Sequence, residues 1–112
     1  MAYPLGTVLL MPLTFTDASG TKPRPALVIN DSGDDDLLVA PITSRSPRSK
    51  NDVVIENWSG AGLRLASTVR LGKLNTIARS VVIRRLGQIL PADEQMAREV
   101  SKELFHTILY ES

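Results

Sequence analysis

Apolar and polar positions fall into short blocks along most of this chain, and the blocks read as strands. Thr7-Val8-Leu9-Leu10-Met11 predicts a first strand ending near Pro12. A polar stretch from Phe15 to Lys22 follows, rich in Asp, Ser and Gly. The clearest strand signal is Lys22-Pro23-Arg24-Pro25-Ala26-Leu27-Val28-Ile29-Asn30. A residue before proline is pushed toward extended geometry, so Arg24 enters this strand with little backbone freedom. Leu27-Val28-Ile29 is apolar on both faces, which predicts a strand covered from both sides.

Asp31-Ser32-Gly33-Asp34-Asp35-Asp36 marks a turn, and Leu37 to Thr43 returns as a second apolar strand. An antiparallel hairpin centred on that turn sets Asn30 opposite Leu37 and Ile29 opposite Leu38. Counting outward brings Arg24 opposite Thr43, with a bulge expected at Pro41. Beyond the basic loop Ser44–Asn51, Asp52 to Glu56 predicts a short strand and Asn57 to Gly62 a glycine-bearing turn. Arg64 to Ile77 alternates weakly, with a bulge expected at Gly72-Lys73 to keep Leu71 and Leu74 on one face. Val81 to Ile89 predicts a last strand with Arg84-Arg85 at its centre. Short strands punctuated by Gly and Pro imply a small, irregular barrel or sandwich.

The period then changes. From Pro91 to Tyr110 the apolar residues Met96, Val100, Leu104 and Ile108 recur every four positions, widened by Ala97, Phe105 and Leu109. Asp93 and Glu94 suit the positive end of a helix dipole, and Glu94 is spaced to pair with Arg98. The fold class is therefore mainly β with a C-terminal helix. A length of 112 residues is that of a single domain, 1–112.

Charge alters this picture more than composition does. The formal net charge is only +1, yet no acidic residue lies between Glu56 and Asp93. Arg64, Arg70, Lys73, Arg79, Arg84 and Arg85 all fall in that tract, and Arg45, Arg48 and Lys50 form a second basic run. An acid-free, arginine-rich tract in a near-neutral protein points to a polyanionic partner. No N-terminal signal and no bilayer-length apolar segment is read, so a cytoplasmic protein is expected.

Several chemistries drop out on residue type alone. There is no cysteine, and the one histidine, His106, falls on the polar side of the predicted helix. Serine-histidine triads, paired-histidine nuclease chemistry and thiolate or histidine zinc sites are thereby excluded. Asp34-Asp35-Asp36 reads as a solubilising turn, no nucleotide-binding glycine motif is present, and no metal or cofactor is expected. Arginine with hydroxyls remains. A guanidinium is always charged and matches phosphate oxygens with two parallel hydrogen bonds, and the Thr43 and Ser44 hydroxyls can donate to the same group. Such a cluster suits a phosphodiester attacked by a neighbouring ribose 2′-hydroxyl. By spacing alone, the better reading is a rim ion pair of Arg24 with Asp17 or Asp52, with Thr43 capping a strand.

Several stretches together resemble the MazF/PemK family of toxin endoribonucleases. These are Gly6-Thr7-Val8-Leu9-Leu10, Phe15-Thr16-Asp17 with Ser19-Gly20 and Lys22, and Arg24-Pro25-Ala26-Leu27-Val28-Ile29. Val39-Ala40-Pro41-Ile42-Thr43-Ser44, Val69-Arg70-Leu71-Gly72-Lys73-Leu74 and Leu86-Gly87-Gln88-Ile89 complete the pattern. The resemblance implies a small SH3-like β-barrel of the CcdB/MazF-like plasmid toxin fold, assembled as a homodimer. It implies a bacterial type II toxin that cleaves single-stranded RNA at short sequences without metal, leaving a cyclic phosphate. The implied inhibitor is a cognate MazE-like antitoxin with an acidic disordered tail. Arg24 matches the family's catalytic arginine and Thr43 its catalytic threonine, with Ser44 beside it. RNA contacts are expected at Asp17 and Lys22 in the first loop, Arg45 and Arg48 in the second, and Arg70, Lys73 and Asn75 in the late strand. Some members carry a glutamate before the Arg-Pro pair. This loop has none, so no residue is assigned as general base. The alternatives on the same barrel are a non-enzymatic CcdB-like toxin that binds a protein such as DNA gyrase, through Trp58 and the helix end, and a barrel that only binds RNA.

Overall fold

The described part of the computed structural model comprises residues 2–14 and 21–111. Its strands are β1 (Thr7–Thr14), β2 (Thr21–Asn30), β3 (Asp36–Thr43), β4 (Asp52–Ile55), β5 (Ser67–Arg70), β6 (Asn75–Ala78) and β7 (Arg84–Gln88), followed by helix α1 (Pro91–Tyr110). All pairings are antiparallel, in the order β4-β5-β3-β2-β1-β7, with β6 also paired to β3. The sheet curls into a half-barrel and the helix follows it, as the sequence predicts.

Two-sided burial of β2 follows from the alternation of side chains across a strand. Leu27 joins one core cluster with Val8, Ala40, Ile55 and Ala97, while Ala26 and Val28 join a second with Leu9, Met11 and Val39. The β2–β3 register is Ala26↔Pro41, Leu27↔Ala40 and Val28↔Val39, the register that hairpin counting gives. Nearer the turn it differs. Asn30 faces Leu38 instead of Leu37, and the irregularity falls between Val28 and Asn30 instead of at Pro41.

Prolines shape this sheet. The β1 strand does not end near Pro12 but continues to Thr14, with Pro12 opposite Pro23 and Leu10 opposite Pro25. Pro12, Pro23 and Pro25 share one parity in that register, so all three can occupy pairs that exchange no hydrogen bond across β1–β2. Pro25 consequently turns its nitrogen toward β3, where it has no proton to give. The β2–β3 pairing stops one residue earlier, at Ala26↔Pro41. Past that point Ile42 and Thr43 pair with Val69 and Thr68 of β5. The two strands part beside Arg24.

Two further expectations are corrected. The break at Gly72-Lys73 is a turn instead of a bulge, and it divides β5 from β6, both of which lie against β3. The expected strand over Val81–Ile89 begins only at Arg84, because a short 3-10 turn occupies Arg79–Val81. Arg84 and Arg85 thus open β7. The apolar stripe of α1 is only partly covered, with Ala97 buried and Val100 packed on the core while Met96, Phe105, Ile108 and Leu109 are exposed.

The helix is fastened by its first turn. The buried Asp93 carboxylate accepts the backbone N–H groups of Glu56 and Asn57, each at 3.0 Å. Glu94 and Arg98 pair at 3.8 Å as expected, and His106 is exposed. Among the described residues, no helix is long and apolar enough to cross a membrane.

Arg79 leaves the basic tract to serve the fold. Its guanidinium makes a bidentate pair with Asp31, Nη1 lying 2.9 Å from Oδ2, and its Nε donates to the Asp34 carbonyl oxygen at 3.0 Å. Asp31 also accepts the amides of Tyr3 and Gly33. The hydrogen bonds from Arg79 and then from the Tyr3 amide hold the Asp31 carboxyl well below the usual carboxylate range. A carboxyl whose folded pKa is depressed gives stability that is complete above its unfolded value and is lost as pH falls toward the folded one. The melting temperature is therefore expected to decline in acid, with loss of this pair contributing below about pH 5. Asp31→Asn should melt lower than the parent at neutral pH, and the gap should narrow as acid is added. Thermal melts of both proteins across that range check this, and a gap independent of pH would refute it.

Candidate functional site

Where β2 and β3 part, an open cavity of about 610 Å³ indents the surface. Arg24 and Pro25 of β2 line one side, together with Ile42, Thr43 and the following Ser44. The segment Gly62–Leu65 and Ser67 form another wall, and Arg84 and Leu86 of β7 a third. Leu10 of β1 lies between Pro25 and Arg84 in the register and contributes to the floor.

Each functional side chain is set by local structure. Arg24 is half-buried and sits opposite the fully buried Met11, so its stem emerges from the second core cluster. Extending the β2–β3 register by two residues sets Arg24 across from Thr43. The Thr43 hydroxyl accepts the Arg45 amide at 3.2 Å, which leaves its own proton to donate. Ser44 is exposed beside it.

The opposite wall was less visible in the sequence. Leu63 is buried and its amide donates to the Trp58 carbonyl at 3.1 Å. The Ser67 hydroxyl donates to the Leu65 carbonyl at 2.7 Å. Arg64 is held between these two anchors. Gly62 and Gly87 lock that loop to β7: a Cβ at Gly62 would lie 2.1 Å from the Leu86 carbonyl oxygen, and one at Gly87 would lie 2.2 Å from that of Ala61. Only glycine allows backbones so close. The signal for this wall was the Gly60-Ala61-Gly62 run just before Arg64, which reads as a plain turn until its partner strand is known.

The cavity therefore joins Arg24, Thr43 and Ser44 with Arg64 and Arg84, and among the described residues lining it there is no carboxylate. The other sequence candidates lie outside it. Lys22 is exposed opposite Leu13, and Arg45 and Arg48 are exposed in the loop after β3. Arg70 pairs with Asp52 at 3.4 Å, and the same carboxylate accepts the Arg48 amide. Lys73 lies in the turn after β5, and its carbonyl accepts the Asn75 side-chain amide. Asp17 falls outside the described residues. Trp58 packs half-buried on the first core cluster. Among the described residues, no three of His, Asp and Glu are grouped to hold a metal ion. Guanidinium groups, hydroxyls and an apolar floor form a donor set whose chemistry suits phosphate esters.

The sequence profile of PemK-like, MazF-like toxins of type II toxin–antitoxin systems matches residues 5–107. The chain belongs to this family. Solved structures agree with a PemK/MazF-type fold. The Mycobacterium tuberculosis toxin MazF-mt6 superposes with a TM-score of 0.73 at 23% identity, covering 88% of this chain and 95% of that one. An endoribonuclease in complex with its cognate antitoxin, from a mycobacterial species, gives a TM-score of 0.74 at 16% identity, covering 92% and 95%. MazE–MazF from Deinococcus radiodurans gives 0.70 at 21% identity, covering 98% and 97%. A search of curated proteins finds no match. The resemblance to PemK/MazF toxins drawn from short motifs thus holds across nearly the whole chain.

Proposed function

We propose that this member of the PemK/MazF-like family is an endoribonuclease toxin that cleaves single-stranded RNA without a metal ion. The observation that carries the reading is the convergence of Arg24 and Thr43 on one cationic cavity, with no carboxylate among the described residues that line it. A ribose 2′-hydroxyl attacks the adjacent phosphorus, the 5′-oxygen leaves, and a cyclic phosphate remains. Negative charge builds on the non-bridging oxygens during this step. The fork of Arg24 donates to them, and the Thr43 hydroxyl, fixed by the Arg45 amide, orients the group with Ser44 beside it. Donors already in place for the developing charge are the usual source of rate in such reactions. The attacking hydroxyl loses its proton to a base that the described cavity residues do not supply, and the leaving oxygen takes one up.

Lys22, Arg45 and Arg48 would guide RNA toward the cavity from the loops, with Asp17 in the first of them. Lys73 and Asn75, beyond the cavity, would extend the contact past β5, while Arg70 is held by Asp52. The solved relatives in complex with antitoxins support regulation by a MazE-like partner, and an acidic tail on it would compete for the same arginines. A homodimer in the bacterial cytoplasm completes the reading.

Incubating the purified protein with single-stranded RNA in EDTA tests it. Fragments carrying cyclic phosphate ends are the expected result, and sequencing those ends gives the recognised site. A strict requirement for Mg²⁺ would overturn the mechanism.

A further inference from the structure

The acid-free tract carries six basic residues, and the structure sorts them. Arg79 is committed to Asp31 and Arg70 to Asp52. Lys73 lies in a turn away from the cavity, and Arg85 does not line it. Arg64 and Arg84 remain. Both are exposed, both line the cavity, and among the described residues neither has a carboxylate partner. Resting on the nuclease reading above, we infer that Arg64 and Arg84 form a second phosphate site, holding the RNA phosphate that neighbours the scissile one.

Size and spacing argue for two phosphates instead of one. A volume of about 610 Å³ is that of a site for a nucleotide-sized ligand, well beyond a single phosphate group. Arg84 stands on β7, two strands across the sheet from Pro25 on β2, with Leu10 of β1 between them, and Arg24 is the residue before Pro25. Two strand spacings amount to roughly 10 Å. Leu10, Pro25, Ile42 and Leu63 form the apolar ground between the two arginine walls. A strand of RNA can rest a sugar or base there while consecutive phosphates meet Arg24 on one side and Arg64 with Arg84 on the other.

The second pair is also built to stay in place. The near-contact of Gly62 with Leu86 and of Gly87 with Ala61 fixes the Arg64 loop against the strand bearing Arg84. Arg64 is further pinned by Leu63 below and by the Ser67–Leu65 hydrogen bond behind. A common backbone frame fixes the spacing of the two arginines, and each planar fork brings its own donor geometry to a phosphate.

Two measurements on the full-length protein test this. In the first, binding of a short, fluorescently labelled 2′-O-methyl RNA of mixed sequence, which cannot be cleaved, is followed against salt concentration. Arg64→Ala and Arg84→Ala are each expected to weaken binding several-fold. The double variant should lower the slope of log K against log salt by about 0.7, one phosphate's worth for a single strand. Arg98→Ala, on the far helix and paired with Glu94, serves as a control that should change neither. Unchanged affinity and slope in the double variant overturn the inference. So does a loss confined to an oligoglutamate peptide, which would mark these arginines as a site for acidic protein.

The second measurement uses cleavable RNA. The double variant should raise KM with kcat kept within a few-fold, and a change in kcat alone would refute a binding role. If the parent binds RNA through Arg64 and Arg84 but cleaves none, the nuclease reading falls and the phosphate site stands. If it cleaves RNA and the variants bind like the parent, the reverse holds.

Discussion

Arg24→Ala is expected to lower kcat for RNA cleavage by about 10²- to 10³-fold, the loss typical when one fixed donor to a developing oxyanion is removed. The effect should fall on kcat more than on KM, because Arg64 and Arg84 still attract the strand. Arg24→Lys should recover only part of the loss. A lysine restores the charge but not the planar fork that reaches two oxygens at once. Folding should survive both changes, since Arg24 lines the open cavity while the buried layer beside it belongs to Met11 and Ala26. Single-turnover cleavage of one defined RNA, with circular dichroism to confirm the fold, makes the comparison. Undiminished cleavage by a folded Arg24→Ala protein would remove Arg24 from the chemistry.

A large effect on stability is expected at Gly87. A Cβ there would sit 2.2 Å from the Ala61 carbonyl oxygen, and backbone cannot swing aside as a side chain can. Relieving the clash means moving β7 away from the Gly62 loop. The cost is on the order of 3 kcal/mol, at the upper end for overpacking, and corresponds to a fall of roughly 10–20 °C in melting temperature. Gly33→Ala is the informative comparison, because Gly33 has a φ of 87° with nothing within 4 Å of the added carbon. That variant carries only the left-handed backbone penalty, about 1 kcal/mol. Near-equal melting temperatures for the two variants would show that the close approach of the loop and β7 is not needed. Because Arg64 and Arg84 lie on the two sides of that approach, Gly87→Ala should also weaken RNA binding among the molecules that remain folded.

How far the sequence could be read depended on the range of the interaction behind each feature. Hairpin counting found the middle of the β2–β3 register because a short polar turn and two apolar runs specify it locally. It failed at Asn30, where one residue slips past its partner, and at Pro41, whose parity lets it pair without a bulge. The helix bounds, Pro91 and Tyr110, followed from a change of period and a proline suited to the first turn. The role of Asp93 could not, since its partners are amides 36 and 37 residues away. That Arg24 and Thr43 line one cavity was legible through the hairpin register. Arg64 and Arg84 were visible only as members of a charged tract. Separating them from Arg70 and Arg79 requires knowing where Asp52 and Asp31 lie in space.

The parting of β2 and β3 at Pro25 has a consequence for how the molecule responds to a ligand. The sheet forgoes a ladder bond at that place, and the strand ends that carry Arg24 and Thr43 are joined less firmly than the middle of the hairpin. Any anion gripped by both residues bridges the gap and works as a removable staple across the seam. Its binding free energy then adds to the stability of the occupied protein, by RT ln(1 + [L]/Kd) for a ligand that ignores the unfolded chain. Amide protons flanking the split should exchange more slowly when the cavity is filled, and the site would announce its occupant by stiffening the edge that an absent proline N–H left open.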